Sequence, residues 1–420
     1  MAYATHALDS TAAAPGLLIA PERLRRALLW FTAFAGAFVF MEPSPYEVVS
    51  VLALFVFAVT GLSLRPGLMP LALLLLLWNV GFSIAVIPLL DQSKPAIWVG
   101  VSWFMALTAV FFAAALTANT EQRLNALMRG YTAAALLASV CGILGYFRLV
   151  PYADFFLKYG RARGTFNDPN VLGAFLMLPM LLALQRMMLG NVGQALRSGA
   201  VLMIMLIALL LSFSRGAWAY FAGTAALLML LMLITSRSAK DRLRIIVLAA
   251  LGTGALALFV VALLSVDQIA TLFQERASLD QSYDTGHLGR FGRHLLGFQL
   301  ALEKPFGIGP YQFATIFPED PHNTFLNAFM TGGWISGLVY PLLVLLTLAR
   351  GFRFLFVRTP WQPVYLAVYA AYLGVACESF IIDTDHWRHY FLLLGVLWGL
   401  MAASAASASR GNLAPARAAA

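Results

Sequence analysis

Seven arginines, Arg161, Arg163, Arg215, Arg276, Arg290, Arg293 and Arg388, sit in or beside polar segments that interrupt long apolar runs. A guanidinium offers a planar fork of N–H donors that matches two phosphate oxygens at once. Arg215 is the sharpest case, because it breaks the stretch LLLSFSRGAWAYF. A charge inside a span costs about 2.5–3.5 kcal/mol on insertion scales and is read first as functional. Snorkelling, or an ion pair with Glu378, Asp383 or Asp385, is the competing reading. Arg276 has Glu275 and Asp280 close by, so local pairing accounts for it. In Arg161-Ala162-Arg163-Gly164-Thr165-Phe166-Asn167-Asp168-Pro169-Asn170, Pro169 suits a first helical turn, with Asp168 or Asn167 as cap. Capping explains the Asn and Asp but not the two arginines.

The acid/base candidate is His322, in Glu319-Asp320-Pro321-His322-Asn323. Proline marks a helix start and puts His322 in the first turn of a span. The positive end of that helix disfavours imidazolium, whereas Glu319 and Asp320 push the other way. A neutral imidazole can accept a hydroxyl proton; a capping or interface histidine is the alternative. Asp383-Thr384-Asp385 could hold a divalent ion through its carboxylates, but pairing with Arg388 or Arg215 is expected instead, so no metal ligand is assigned. No HExxH, Walker A or GxSxG pattern is present.

The elements that must position these residues are membrane spans. The chain has 420 residues, 61% hydrophobic and only 11% charged, far from the make-up of a soluble domain. A span needs about 20 apolar residues. Twelve runs qualify, near 27–41, 46–64, 68–90, 96–118, 130–150, 169–189, 199–214, 217–235, 245–265, 323–348, 361–382 and 387–404. Basic residues crowd one set of connecting loops and acids the other, which puts both termini in the cytoplasm. The chain then divides into a cytoplasmic tail (1–26), spans one to nine (27–265), a periplasmic loop (266–322), spans ten to twelve (323–404) and a disordered cytoplasmic tail (405–420). Residues 1–22 show no cleavable signal peptide, so the first span serves as an uncleaved anchor.

Within the long loop, Phe291, Leu295, Leu296, Phe298 and Leu300 predict a helix lying on the membrane surface. Gly333 to Gly337 and Gly395 to Gly399 form GxxxG patterns expected to pack helices closely. Cys141 and Cys377 are read as apolar core residues, without disulfide or zinc. A net charge of +9 without a basic stripe gives no nucleic-acid surface.

Five pieces occur in order between about residues 161 and 400: RARGTFNDPNVLGAFL, LLLSFSRGAWAYF, GRFGRHLLGFQLALEKPFGIGPYQF, PHNTFLNAFMTGGWISGL and DTDHWRHYFLLLGVLWGL. In this the chain resembles the bacterial O-antigen ligase and polymerase superfamily. The resemblance implies an all-α, GT-C-type enzyme of the bacterial inner membrane with its active site facing the periplasm. It implies an undecaprenyl-diphosphate-linked glycan donor, a lipid A–core acceptor in the ligases, membrane lipid as the surrounding partner, and metal-independent, inverting chemistry without a cofactor. The family histidine matches His322. The family arginines match Arg161 or Arg163, Arg215, and Arg290 or Arg293, with Asn323, Asp168, Asn170, Asp385 and Arg388 in support. Tyr159, Phe166, Tyr283, Tyr311 and Trp387 are expected to stack on sugars or to form an interface belt. A polymerase with a lipid-linked glycan acceptor is the nearest alternative, an oligosaccharyltransferase acting on protein a third, and a flippase or transporter the reading from another class.

Overall fold

The computed structural model describes residues 15–40, 43–265, 267, 270–271, 273 and 288–417. Arg276, Glu275, Asp280 and Tyr283 lie outside the described residues, as do most of 266–287 and the tips of both tails. Each of the twelve apolar runs is helical: α1 (Pro15–Ala35), α2 (Pro45–Gly61), α3 (Met69–Ala85), α4 (Ser93–Ala115), α5 (Thr120–Tyr146), α6 (Pro169–Leu189), α7 (Val192–Leu211), α8 (Arg215–Thr235) and α9 (Ala239–Leu264) precede the long loop. That loop holds α10 (Arg290–Glu303) and the single turn α11 (Phe313–Ile316), and α12 (Thr324–Phe354), α13 (Gln362–Glu378) and α14 (Arg388–Arg417) follow. Among the described residues nine helices are long and apolar enough to cross a bilayer. The three others are shorter, as α2 and α13 are, or carry several charges, as α1 does. The protein is an all-α polytopic membrane protein.

Several boundaries differ from expectation, most at the first and last helices, and one element is additional. Helix α1 begins at Pro15 and ends at Ala35, because Ala37 and Phe38 turn back onto Phe34 and Ala35. The last helix runs through the segment expected to be disordered, as far as Arg417, in keeping with the high helix propensity of its alanines. A two-stranded hairpin, β1 (Leu157–Lys158) and β2 (Arg161–Ala162), stands before α6.

Helix α6 is buried along nearly its whole length and forms the centre of the bundle, whereas α9 faces outward. Gly395 and Gly399 meet backbone of α4, and a Cβ on Gly399 would stand 2.7 Å from the Ala113 carbonyl. That GxxxG pattern is helix packing, as expected. The Gly333 pattern is not. Gly333 has φ +65° and ψ −163° and breaks α12, a conformation open to glycine alone at little cost. The freed backbone groups are satisfied by the loop after α10: Ile308 N–H donates to Met330 O (2.7 Å) and Trp334 N–H to Pro305 O (2.9 Å). Asn79, a polar residue within α3, is fully buried and donates to Leu75 O of its own helix (2.9 Å). Cys377 is exposed and Cys141 half-buried, not core, since a span has no need to turn apolar residues inward from lipid.

Candidate active site

The β-hairpin turns through Tyr159 (φ +53°) and Gly160 (φ +69°), the two left-handed residues that match a hairpin's natural twist. This turn delivers Arg161 sideways into the bundle, where it is buried. Its Nε donates to Ser212 O (2.7 Å) and its Nη2 to Asn170 Oδ1 (2.9 Å). The guanidinium is thereby tied to the end of α7 and the start of α6. Asp168 caps α6, accepting from Asn170 N–H at 2.9 Å, and its other oxygen lies 3.1 Å from Lys158 Nζ.

Arg215 is the first residue of α8, after the cap Ser214. Arg290 is the first residue of α10, with Nη1 3.4 Å from Ile381 O. His322 precedes α12 by two residues, because Asn323 is the cap and accepts from Leu326 N–H at 3.0 Å. His322 is therefore outside the first turn where it was expected, and its backbone is left-handed, with φ +50°.

These residues line one cavity of about 450 Å³, formed by Arg161, Arg215, Arg290 and His322 together with Asp168, Asn170, Tyr159, Ser214, Glu319 and Glu378. The starts of α6, α8 and α10 meet there, and His322 reaches it from the segment before α12. A helix N-terminus carries roughly half a positive charge and unsatisfied N–H groups. Three guanidiniums share this cavity with the carboxyl groups of Asp168, Glu319 and Glu378.

His322 is held from two sides. Its Nδ1 lies 3.5 Å from Asp383 Oδ2, and Asp383 Oδ1 accepts from Asn323 N–H at 3.0 Å. Burial pushes the Asp383 carboxyl above its ordinary value, while His322 pulls it down. From α10, Arg293 Nη2 reaches Glu319 Oε2 (2.9 Å) and His294 Nε2 reaches Pro321 O (2.7 Å). A carbonyl only accepts, so His294 carries its proton on Nε2. Burial, then the charges of Arg290 and Arg293, hold His294 below the ordinary 6.5.

Several expectations are corrected. Asp383 and Asp385 are not the arginine partners anticipated: Asp383 takes His322 and Asn323, and Asp385 accepts from Asn327 Nδ2 at 2.8 Å. The described carboxylate partner of Arg388 is Glu47 of α2, at 2.7 Å. Asn323, Asp385 and Arg388 do not line the cavity. Neither does Arg163, whose guanidinium donates to Phe155 O (2.8 Å), nor Arg293, which is buried against Glu319. Phe166 and Trp387 belong to the core, whereas Tyr159 is exposed at the cavity rim. On α10, Arg293, Gly297 and Ala301 face the body and leave Phe291, Leu295, Phe298 and Leu302 outward. His294, Lys158 and the cavity role of Glu378 escaped the sequence reading. For His294 the available signal was its place one turn after Arg290.

The fold defines a polytopic membrane protein with an arginine-lined cavity at one end of its bundle. Residues 200–340 match the family model described as O-antigen ligase; this stretch carries Arg215, Arg290 and His322, and supports the O-antigen ligase and polymerase superfamily that the motifs resemble. Proteins of that family are membrane glycosyltransferase-like enzymes that act on lipid-linked glycans. No curated protein matches the chain.

Proposed function

We propose that the chain transfers a glycan from undecaprenyl diphosphate to a sugar hydroxyl of lipid A–core at the periplasmic face of the inner membrane, by inversion and without a metal. The observation that carries this reading is the single cavity shared by Arg161, Arg215, Arg290 and His322. The acceptor oxygen attacks the anomeric carbon from the face opposite the diphosphate. As that bond forms, the carbon–oxygen bond to the diphosphate breaks, and the hydroxyl proton passes to His322. With Nδ1 turned to Asp383, the Nε2 of His322 is the nitrogen for this proton. The negative charge that gathers on the departing diphosphate meets the three guanidiniums and the helix N-termini. Donors fixed before the reaction stabilise such charge without reorganising.

The test is the glycolipid profile of a deletion strain, complemented with wild type or with His322→Ala. A ligase predicts long glycan chains left on the lipid carrier and lipid A–core left bare, restored by wild type alone. Single repeat units on lipid A–core would assign the chain to a polymerase. A normal profile with His322→Ala would end the enzymatic reading.

A further inference from the structure

A second arginine cluster stands at the opposite end of the bundle. Arg129 lies in the first half of α5, Arg186 in the last turn of α6 and Arg197 near the start of α7. The far ends of these same helices approach the candidate active site. The three arginines line a cavity of about 800 Å³, with polar Asn125, Gln185 and Ser198 and an apolar wall that includes Leu182 and Val201. An adjoining cavity of about 530 Å³ shares Asn125 and Arg129 and adds Arg23 and Arg26 of α1. Among the described residues no carboxylate lines either cavity.

An excess of arginine at one end of the bundle follows from orientation in the membrane. Convergence from three helices on one apolar-walled cavity does not. The nearby acid Glu22 is engaged elsewhere, 2.7 Å from Arg123. Positive heads above an apolar wall match an amphiphile with an anionic head. Basic pockets between membrane helices bind such headgroups.

We propose that this end of the bundle binds an anionic glycerophospholipid. Its phosphate sits among Arg129, Arg186 and Arg197, and an acyl chain lies along Leu182 and Val201. Because the second cavity continues the first through Arg129, a lipid with two phosphates, such as diphosphatidylglycerol, is held more tightly than one with a single phosphate.

Native mass spectrometry of the full chain in detergent tests this, with diphosphatidylglycerol, phosphatidylglycerol, phosphatidylcholine or inorganic phosphate added. Retention should fall in that order, with phosphatidylcholine and inorganic phosphate released. Arg186→Gln and Arg197→Gln should each weaken retention about fivefold, while Arg215→Ala leaves it unchanged. Val201→Trp should expel the lipid with every charge kept, and Arg197→Lys should retain it. Equal retention by the glutamine variants, or of phosphatidylcholine, would overturn the proposal. Inorganic phosphate held as well as lipid would make this a free-anion site and overturn it too.

Discussion

The two arginine clusters use the same functional group under opposite constraints. At the hairpin end, Arg161 is buried and held by Ser212 and Asn170, and Arg215 and Arg290 each open a helix. At the other end Arg129, Arg186 and Arg197 are exposed on helix surfaces. A guanidinium fixed in advance can stabilise charge that appears only in a transition state. One on an exposed, rotatable stem can only hold charge that is already there. An imidazole with its own carboxylate stands beside the first cluster; the cavity of the second has none among its lining residues.

The contrast can be broken in several places. His322→Ala should cost the largest factor, about 10²–10⁴ in glycan transfer, the range for losing a general base. Arg215→Ala should follow at about 10²–10³, as for loss of one oxyanion donor; its readout is single-turnover transfer in liposomes. Arg161→Lys should lose at least about tenfold, because an ammonium cannot send donors to Ser212 and Asn170 in the same fixed plane. The same exchange at Arg197 keeps lipid binding, so equal tolerance at both ends would erase the distinction.

A smaller effect is expected at the clamp from α10. His294→Phe removes the bond to Pro321 and should lower transfer about tenfold, whereas His294→Gln, which can still donate, keeps most of it. The folded state depresses the His294 pKa, so the unfolded chain takes the proton first as pH falls. The contribution of His294 to stability is thus complete above about 6.5 and is lost progressively below it. A thermal melt against pH reads this, and the His294→Gln protein should lack that slope. Asp383 moves the other way: its raised carboxyl protonates earlier on acidification than an ordinary aspartate. Transfer should therefore fall from a higher pH than free aspartate would give, and Asp383→Asn should abolish that limb. Arg163→Ala, outside the cavity, should change transfer by less than about twofold.

Much of this arrangement was legible in the sequence. Apolar runs are long enough to read directly, and each is a helix. The amphipathic helix α10 showed in its 3.6-residue period, and Arg215 and His322 stood out as polar residues beside apolar runs. What stayed hidden was non-local. The choice of Arg161 over Arg163 is made by a hairpin with two residues per strand, too short for any periodicity. Asp383 meets the Asn323 amide across 60 residues and Arg388 meets Glu47 across 341, and no local pattern encodes such pairs. Gly333 looked like a packing glycine because a small residue serves a close approach and a helix break equally well.

The proposed mechanism requires His322 and the arginines to act on one reacting diphosphate. A double-mutant cycle of Arg215→Ala and His322→Ala, measured as transfer from a purified diphosphate-linked donor in liposomes, separates joint from independent action. Groups acting as a unit give a double variant about as slow as the slower single one. Losses that simply multiply, or a His322→Ala protein that transfers at the wild-type rate, would contradict it.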